Sequence, residues 1–97
     1  MTLLKYPARM YNENDSLFSV VFIDLELATQ GDSVNEAMSM AREALEGRLY
    51  CHVTDGEPIP MPSAGGAHIP EDNSDLITVT VDLDKIIDDL RADYEAK

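Results

Sequence analysis

Thr29-Gln30-Gly31-Asp32-Ser33-Val34-Asn35-Glu36-Ala37 is the stretch where the pattern of this 97-residue chain changes from strand to helix. Gly31-Asp32-Ser33 breaks the strand pattern. Ser33 followed by Glu36 forms a capping box, in which the hydroxyl accepts from the N3 amide and the glutamate reaches back to the cap amide. The helix after it carries Val34, Ala37, Met38, Ala41, Ala44, Leu45 and Leu49 on an apolar face. Asn35, Ser39, Arg42, Glu43 and Glu46 fall on the solvent side. Gly47 weakens the middle by roughly 1 kcal/mol relative to alanine. Asp55-Gly56 is a suitable stop, because glycine takes the left-handed conformation without a steric cost.

Toward the N-terminus, Leu3 to Tyr11 alternates, with Leu4, Tyr6, Ala8 and Met10 on one side and Lys5, Pro7 and Arg9 on the other. That predicts a half-buried strand. Pro7 cannot donate a ladder hydrogen bond, so it is expected at an edge or bulge. Asn12 to Ser16 reads as a polar turn. In Leu17 to Ile23, Phe18, Val20 and Phe22 share one face and Leu17, Val21 and Ile23 the other. Two apolar faces predict a central strand. Glu26 to Gln30 is a short third strand, completing an antiparallel meander.

Toward the C-terminus, Glu57 to Asp75 holds Pro58, Pro60, Pro62, Pro70 and Gly65-Gly66 and reads as a loop, its first part extended and anchored by Ile59 and Met61. Its later part, Ser63 to Asp75, is expected to be mobile. Leu76 to Val81 is a strand with Ile77, Val79 and Val81 inward and Thr78 and Thr80 outward. Asp82 or Asp84 caps a last helix whose apolar stripe is Ile86, Ile87, Leu90 and Tyr94. Asp84, Asp88, Asp89 and Asp93 form its acidic face, with Lys85 spaced to pair with Asp89. The order β-β-β-α-β-α predicts an α+β fold with helices packed on one mixed sheet, the fourth strand parallel to the first. That is the order of a truncated ribonuclease H-like fold. One domain is expected over 1–97, with its core in 3–83, the Pro/Gly-rich loop in 57–75 and the last helix in 84–95.

Nineteen acidic against seven basic residues give a net charge of −12. Such a field repels phosphate backbones and attracts basic partners, although charge alone often does no more than keep a protein soluble. Cys51 is the single cysteine, which suits a reducing compartment and expects no intrachain disulfide. Met1 to Met10 lacks the apolar stretch of a secretory signal, and no run approaches the ~20 apolar residues of a membrane span. The expected location is cytoplasmic, with no membrane partner.

Chemistry is sparse. An active ribonuclease H-type site needs clustered carboxylates for two metals, one of them on the first strand, and Leu3 to Tyr11 has none. Asp24 is read as a turn residue, Asp32 and Asp82 as caps. Cys51, His52 and His68 are too few and badly spaced for zinc. Adjacent helical residues point about 100° apart, which also defeats Cys51–His52 as nucleophile and base. Cys51 is read as a small buried hydrophobe and His52 as a surface or second-layer residue. Ser63 with His68 lies in the loop, and Gly65-Gly66 lacks the lysine and helix of a phosphate loop. Met38, Met40 and Met61 read as packing residues. No catalytic, metal or cofactor site is expected.

Tyr6-Pro7-Ala8, Phe18-Ser19-Val20, Phe22-Ile23-Asp24-Leu25, Thr29-Gln30-Gly31-Asp32-Ser33, Glu36-Ala37, Ala41, Glu43-Ala44-Leu45 and Asp55-Gly56-Glu57-Pro58-Ile59-Pro60-Met61-Pro62-Ser63, in this order and spacing, resemble the HicB antitoxins over about positions 3 to 83. The resemblance implies a partial ribonuclease H-like domain that has lost its nuclease role. It also implies a partner: a small basic HicA toxin that cleaves messenger RNA with a histidine. Many family members add a C-terminal DNA-binding segment. The family's Phe-Pro-Asp-Leu-Pro-Gly motif is altered here, with Ile23, Glu26 and Leu27 in place of the prolines and glycine. The single acidic helix after the last strand is too short for a helix-turn-helix or ribbon-helix-helix unit, so direct DNA binding by this chain is not expected.

The expected function is that of an antitoxin neutralising a HicA-type toxin without a cofactor, by covering its active site or RNA-binding surface. Candidate partner contacts are Asp24, Glu26, Glu43, Glu46, Asp88 and Asp89. Two rival readings are an interaction module without a toxin and a residual metal-dependent nuclease. Self-association into a dimer or tetramer is expected through a strand edge near Pro7 or the stripe of the last helix.

Overall fold

The computed structural model of the chain describes residues 2–62 and 74–95, the side chains of 93–95 excepted. Ser63, Gly65-Gly66, His68, Pro70 and the Asp93 and Tyr94 side chains therefore lie outside the described residues. The elements are β1 (Leu3–Asn14), β2 (Leu17–Phe22), β3 (Ala28–Gly31), α1 (Val34–Asp55), β4 (Asp75–Asp82) and α2 (Leu83–Glu95). The four strands form one sheet in the order β3-β2-β1-β4.

The element and strand orders follow the sequence expectation; the direction of β4 does not. β4 pairs antiparallel to β1, with Leu3 opposite Asp82 and Met10 opposite Asp75, so the sheet is antiparallel throughout, not mixed. A period-two pattern fixes which face a strand buries, not which way it runs. α1 returns the chain to the end of the sheet from which a parallel strand would start. Residues 56–74, at up to about 3.3 Å each, are long enough to bring the chain back to the opposite end.

β1 is an internal strand, bonded to β2 on one side and β4 on the other. The edge position expected for Pro7 is thus corrected. Its ring is accommodated because the β1–β2 ladder ends at Ala8–Phe22, beyond which the Ile23 amide still donates to the Pro7 carbonyl at 3.2 Å. β1 also runs on to Asn14, into the expected turn, with an irregularity between Asn12 and Asn14. The Asn14 carboxamide oxygen then accepts from the Ser16 amide and hydroxyl, each at 2.9 Å, closing the hairpin.

Residues opposite one another in the ladders share a face. Tyr6, Ala8 and Met10 of β1, Val20 and Phe22 of β2, and Val79 and Val81 of β4 are buried on the face that α1 covers. From α1 come Ala37, Ala41, Leu45 and Leu49, all without exposed surface, and from α2 Ile86. Val34 is exposed, because it precedes the first turn that reaches the sheet. Small residues at the start of α1 permit a tight approach: a Cβ on Gly31 would lie 2.5 Å from the Ala37 backbone nitrogen.

The capping box forms. The Glu36 amide donates to Ser33 Oγ at 3.1 Å, while Glu36 Oε1 accepts from the Asp32 amide at 3.2 Å, one residue before the cap. Gly56 ends α1 at φ 70°, its amide turned to the carbonyls of His52 and Val53. Asp82 Oδ1 accepts from the Asp84 amide at 3.0 Å and caps α2. Beyond α1, Ile59 packs on the core, but Met61 is 74% exposed and anchors nothing. The second anchor is polar: the Tyr6 hydroxyl donates to the Pro60 carbonyl at 2.7 Å. Burial, and secondarily the Asp24 carboxylate, pushes the Tyr6 hydroxyl above its ordinary pKa.

Candidate partner-binding site

α1 and α2 lie against one another on the covered side of the sheet. Between them runs a groove of about 400 Å³, lined by Glu46, Gly47, Tyr50, Ile86, Asp89 and Ala92. The i, i+4 spacing of Glu46 and Tyr50 sets both on the flank of α1 that faces α2. Ile86 and Asp89, three apart, present the matching flank of α2. The groove thus has an apolar floor from Ile86, an aromatic ring from Tyr50 and a carboxylate on each wall. Among the described residues neither Glu46 nor Asp89 takes part in an ion pair. Lys85, spaced to meet Asp89, lines a neighbouring recess with Arg42, Glu46 and Asp82 instead.

Gly47 gives the groove its depth. It lies inside a 22-residue helix with a negative φ, and a Cβ there would meet nothing within 4 Å. Among the described residues the fold has no steric need for glycine at this position. Its lack of a side chain leaves room between the two carboxylates. From sequence Gly47 reads only as a helix-weakening residue, and Tyr50 and Ile86 are not marked as groove lining. The signal available was the run Glu46-Gly47 with Tyr50 one turn on.

Of the six candidate contacts, the structure brings Glu46 and Asp89 together. Glu43 and Asp88 are exposed on the same two helices but do not line the groove. Asp24 and Glu26 stand apart in the β2–β3 connection. That connection, where proline and glycine are replaced, is held by buried Leu25, by the Phe22 amide donating to the Leu27 carbonyl at 3.0 Å, and by Arg48 of α1 donating to the Glu26 carbonyl at 3.0 Å.

Cys51 is exposed, contrary to the buried expectation, because it falls off the line of buried residues that ends at Leu49. His52 is partly buried, with Nδ1 3.5 Å from Glu57 Oε2. Among the described residues no three His, Cys, Asp or Glu side chains gather as a metal-binding group, and no helix is long and apolar enough to cross a membrane.

An antiparallel sheet in the order β3-β2-β1-β4 with two helices on one face is the fold of solved HicB antitoxins. Antitoxin HicB of Burkholderia pseudomallei superposes with a TM-score of 0.74 at 19% identity, over 86% of this chain and 65% of that one. Its N-terminal domain gives 0.72 at 21% identity, over 81% of this chain and 99% of that one. A toxin-antitoxin complex from Streptococcus pneumoniae gives 0.67 at 24% identity, over 87% of this chain and 72% of that one.

The chain belongs to the HicB-like antitoxin family of bacterial toxin-antitoxin systems, whose profile matches residues 5–85. Antitoxin HicB of Escherichia coli K12 is 35% identical over 66 residues, which is 67% of this chain and 48% of the relative. The O157:H7 protein matches equally. The chain thus spans about half the length of the curated relatives it matches.

Proposed function

We propose that this chain is an antitoxin that binds and neutralises a small basic toxin of the HicA type, an mRNA-cleaving ribonuclease. It masks the toxin's active site or RNA-binding surface and acts as a stoichiometric binder, without a cofactor. The observation that carries this reading is the α1–α2 groove, where Glu46 and Asp89 face each other across the space left by Gly47. A lysine or arginine side chain laid in it would set its alkyl stem on Ile86 and Tyr50 and its charge between the carboxylates. Glu43 and Asp88 on the same helices, and Asp24 and Glu26 in the β2–β3 connection, add to the field that steers a cationic partner. Family membership supports a toxin as that partner.

The test is growth rescue and calorimetry with the toxin encoded beside this chain. The native chain restores growth and binds more weakly as salt rises. Replacing both groove acids, Glu46→Lys with Asp89→Lys, should weaken binding by at least about a hundredfold, since like charges placed at a desolvated contact cost several kcal/mol. Gly47→Leu should weaken binding while leaving the chain as stable as before or more so, because leucine is the better helix former by roughly 0.8 kcal/mol. A chain that binds no such toxin would sink the reading; one that binds it equally well with all three changes would remove the groove from it.

A further inference from the structure

We infer that the partner segment seated on this chain carries charges of both signs: a lysine or arginine for the groove and, one helical turn away, an aspartate or glutamate for the recess beside it. This rests on the proposed toxin reading and adds to it the feature that selects one basic partner over another.

The recess, of about 230 Å³, adjoins the groove, because Glu46 lines both. Its cations are Arg42 of α1 and Lys85 of α2, both exposed. The chain has only seven basic residues. Arg9 is buried, and Arg48 donates to the Glu26 carbonyl at 3.0 Å. On a chain of net charge −12, two of the others meet at this one recess. Solvation of the surface calls for no such concentration of the scarce sign.

Both helices place their charges in the same order. Arg42 precedes Glu46 by four residues on α1, and Lys85 precedes Asp89 by four on α2. Four residues rise about 6 Å along a helix axis. The two walls therefore present a pair of cations about 6 Å before a pair of carboxylates.

A cation four residues ahead of an acid is the weaker order for an ion pair within a helix. Among the described residues neither pair closes, and none of these four charges has an ion-pair partner. Asp82, the other carboxylate of the recess, is committed to the backbone. Its Oδ1 accepts from the Asp84 amide at 3.0 Å and from the Thr2 amide at 3.4 Å. A partner cation seated between Glu46 and Asp89 then draws on Glu46 as well. That leaves Arg42 and Lys85 together without a counter-charge, and a carboxylate on the partner supplies it. A uniformly basic segment sets a second cation against them and is rejected, so the recess discriminates as well as binds.

Calorimetry with the toxin encoded beside this chain separates this arrangement from attraction by net charge. Arg42→Glu with Lys85→Glu removes two positive charges and adds two negative ones, taking the chain from −12 to −16. A cationic partner drawn only by the overall field would bind this variant more tightly. The recess predicts the opposite sign: binding at least about tenfold weaker, with circular dichroism and melting temperature unchanged. Arg42→Gln with Lys85→Gln, which sets no new like charges along either helix, should weaken binding by about threefold or more. Changing the matching acid of the toxin to lysine should restore its binding to the doubly reversed variant. Unchanged or tighter binding by that variant overturns the inference. So does a toxin in which no acid-to-lysine change restores binding. If Glu46→Lys with Asp89→Lys weakens binding and the recess variants do not, the groove reading stands and this inference alone falls. If neither pair of changes matters, both fall.

Discussion

Val20 and Val21 are neighbours in one strand and differ only in the face they point to. Val20 faces α1 and is fully buried; Val21 points away and is 42% exposed. Their residue type is the same, so the contrast isolates what the helices contribute. On the covered face the fold spends small residues, Ala8, Gly31, Ala37 and Ala41, to bring sheet and helix into tight contact. On the other face it places apolar residues of ordinary size with no helix above them. Val21, Ile23 and Leu76 stay exposed there, while Pro7 and Arg9 between them are buried.

Several substitutions sharpen that contrast. Gly31→Ala should be the most damaging, by about 3 kcal/mol, because the added methyl meets backbone that must move rather than a side chain that could turn away. Chemical denaturation gives the value, and a loss below about 1 kcal/mol would mean that β3 and α1 separate easily. Next comes the valine pair. Val20→Ala should cost about 2 kcal/mol and Val21→Ala no more than about 0.5 kcal/mol in the monomer. Equal costs would show Val21 to be packed as tightly as Val20.

A smaller effect than at Gly31 or Val20 is expected at Tyr6. Tyr6→Phe removes the hydrogen bond to Pro60 and should cost about 1 kcal/mol at neutral pH. The native hydroxyl has a raised pKa, so the folded state holds its proton more tightly than the unfolded chain. Its contribution is complete below the ordinary tyrosine pKa near 10 and is lost as pH rises through the folded value. The phenylalanine variant should lose less stability between pH 9 and pH 11 than the native chain, as followed by denaturation at about those two values.

Much of the fold was legible because it is locally encoded. The change from alternation to helical spacing around Gly31, the Ser33–Glu36 capping box, the Gly56 stop and the inward trio of Ile77, Val79 and Val81 each depend on residues a few positions apart. What escaped depends on distant pairings. The direction of β4 depends on its pairing with β1, which its own period-two pattern does not carry. The internal place of β1 is decided by a strand some seventy residues later. Cys51 was misplaced by residue type, since cysteine is usually buried but here falls off the Ala37-Ala41-Leu45-Leu49 line. At the candidate site, a helical plot marks Glu46 and Asp89 as surface acids. Only the packing of α1 on α2 makes them the two walls of one groove.

The position of β1 also orders events in time. As the chain leaves the ribosome, β1 can zip to β2 almost at once, for Asn14 and Leu17 are adjacent across the hairpin. Its other edge must wait for β4, because Leu3 is paired with Asp82. Until β4 emerges the nascent protein therefore carries an unsatisfied row of amides and carbonyls along β1, beside Tyr6 and Ala8 that will end fully buried. Closure of that edge is the slow, long-range step of the topology.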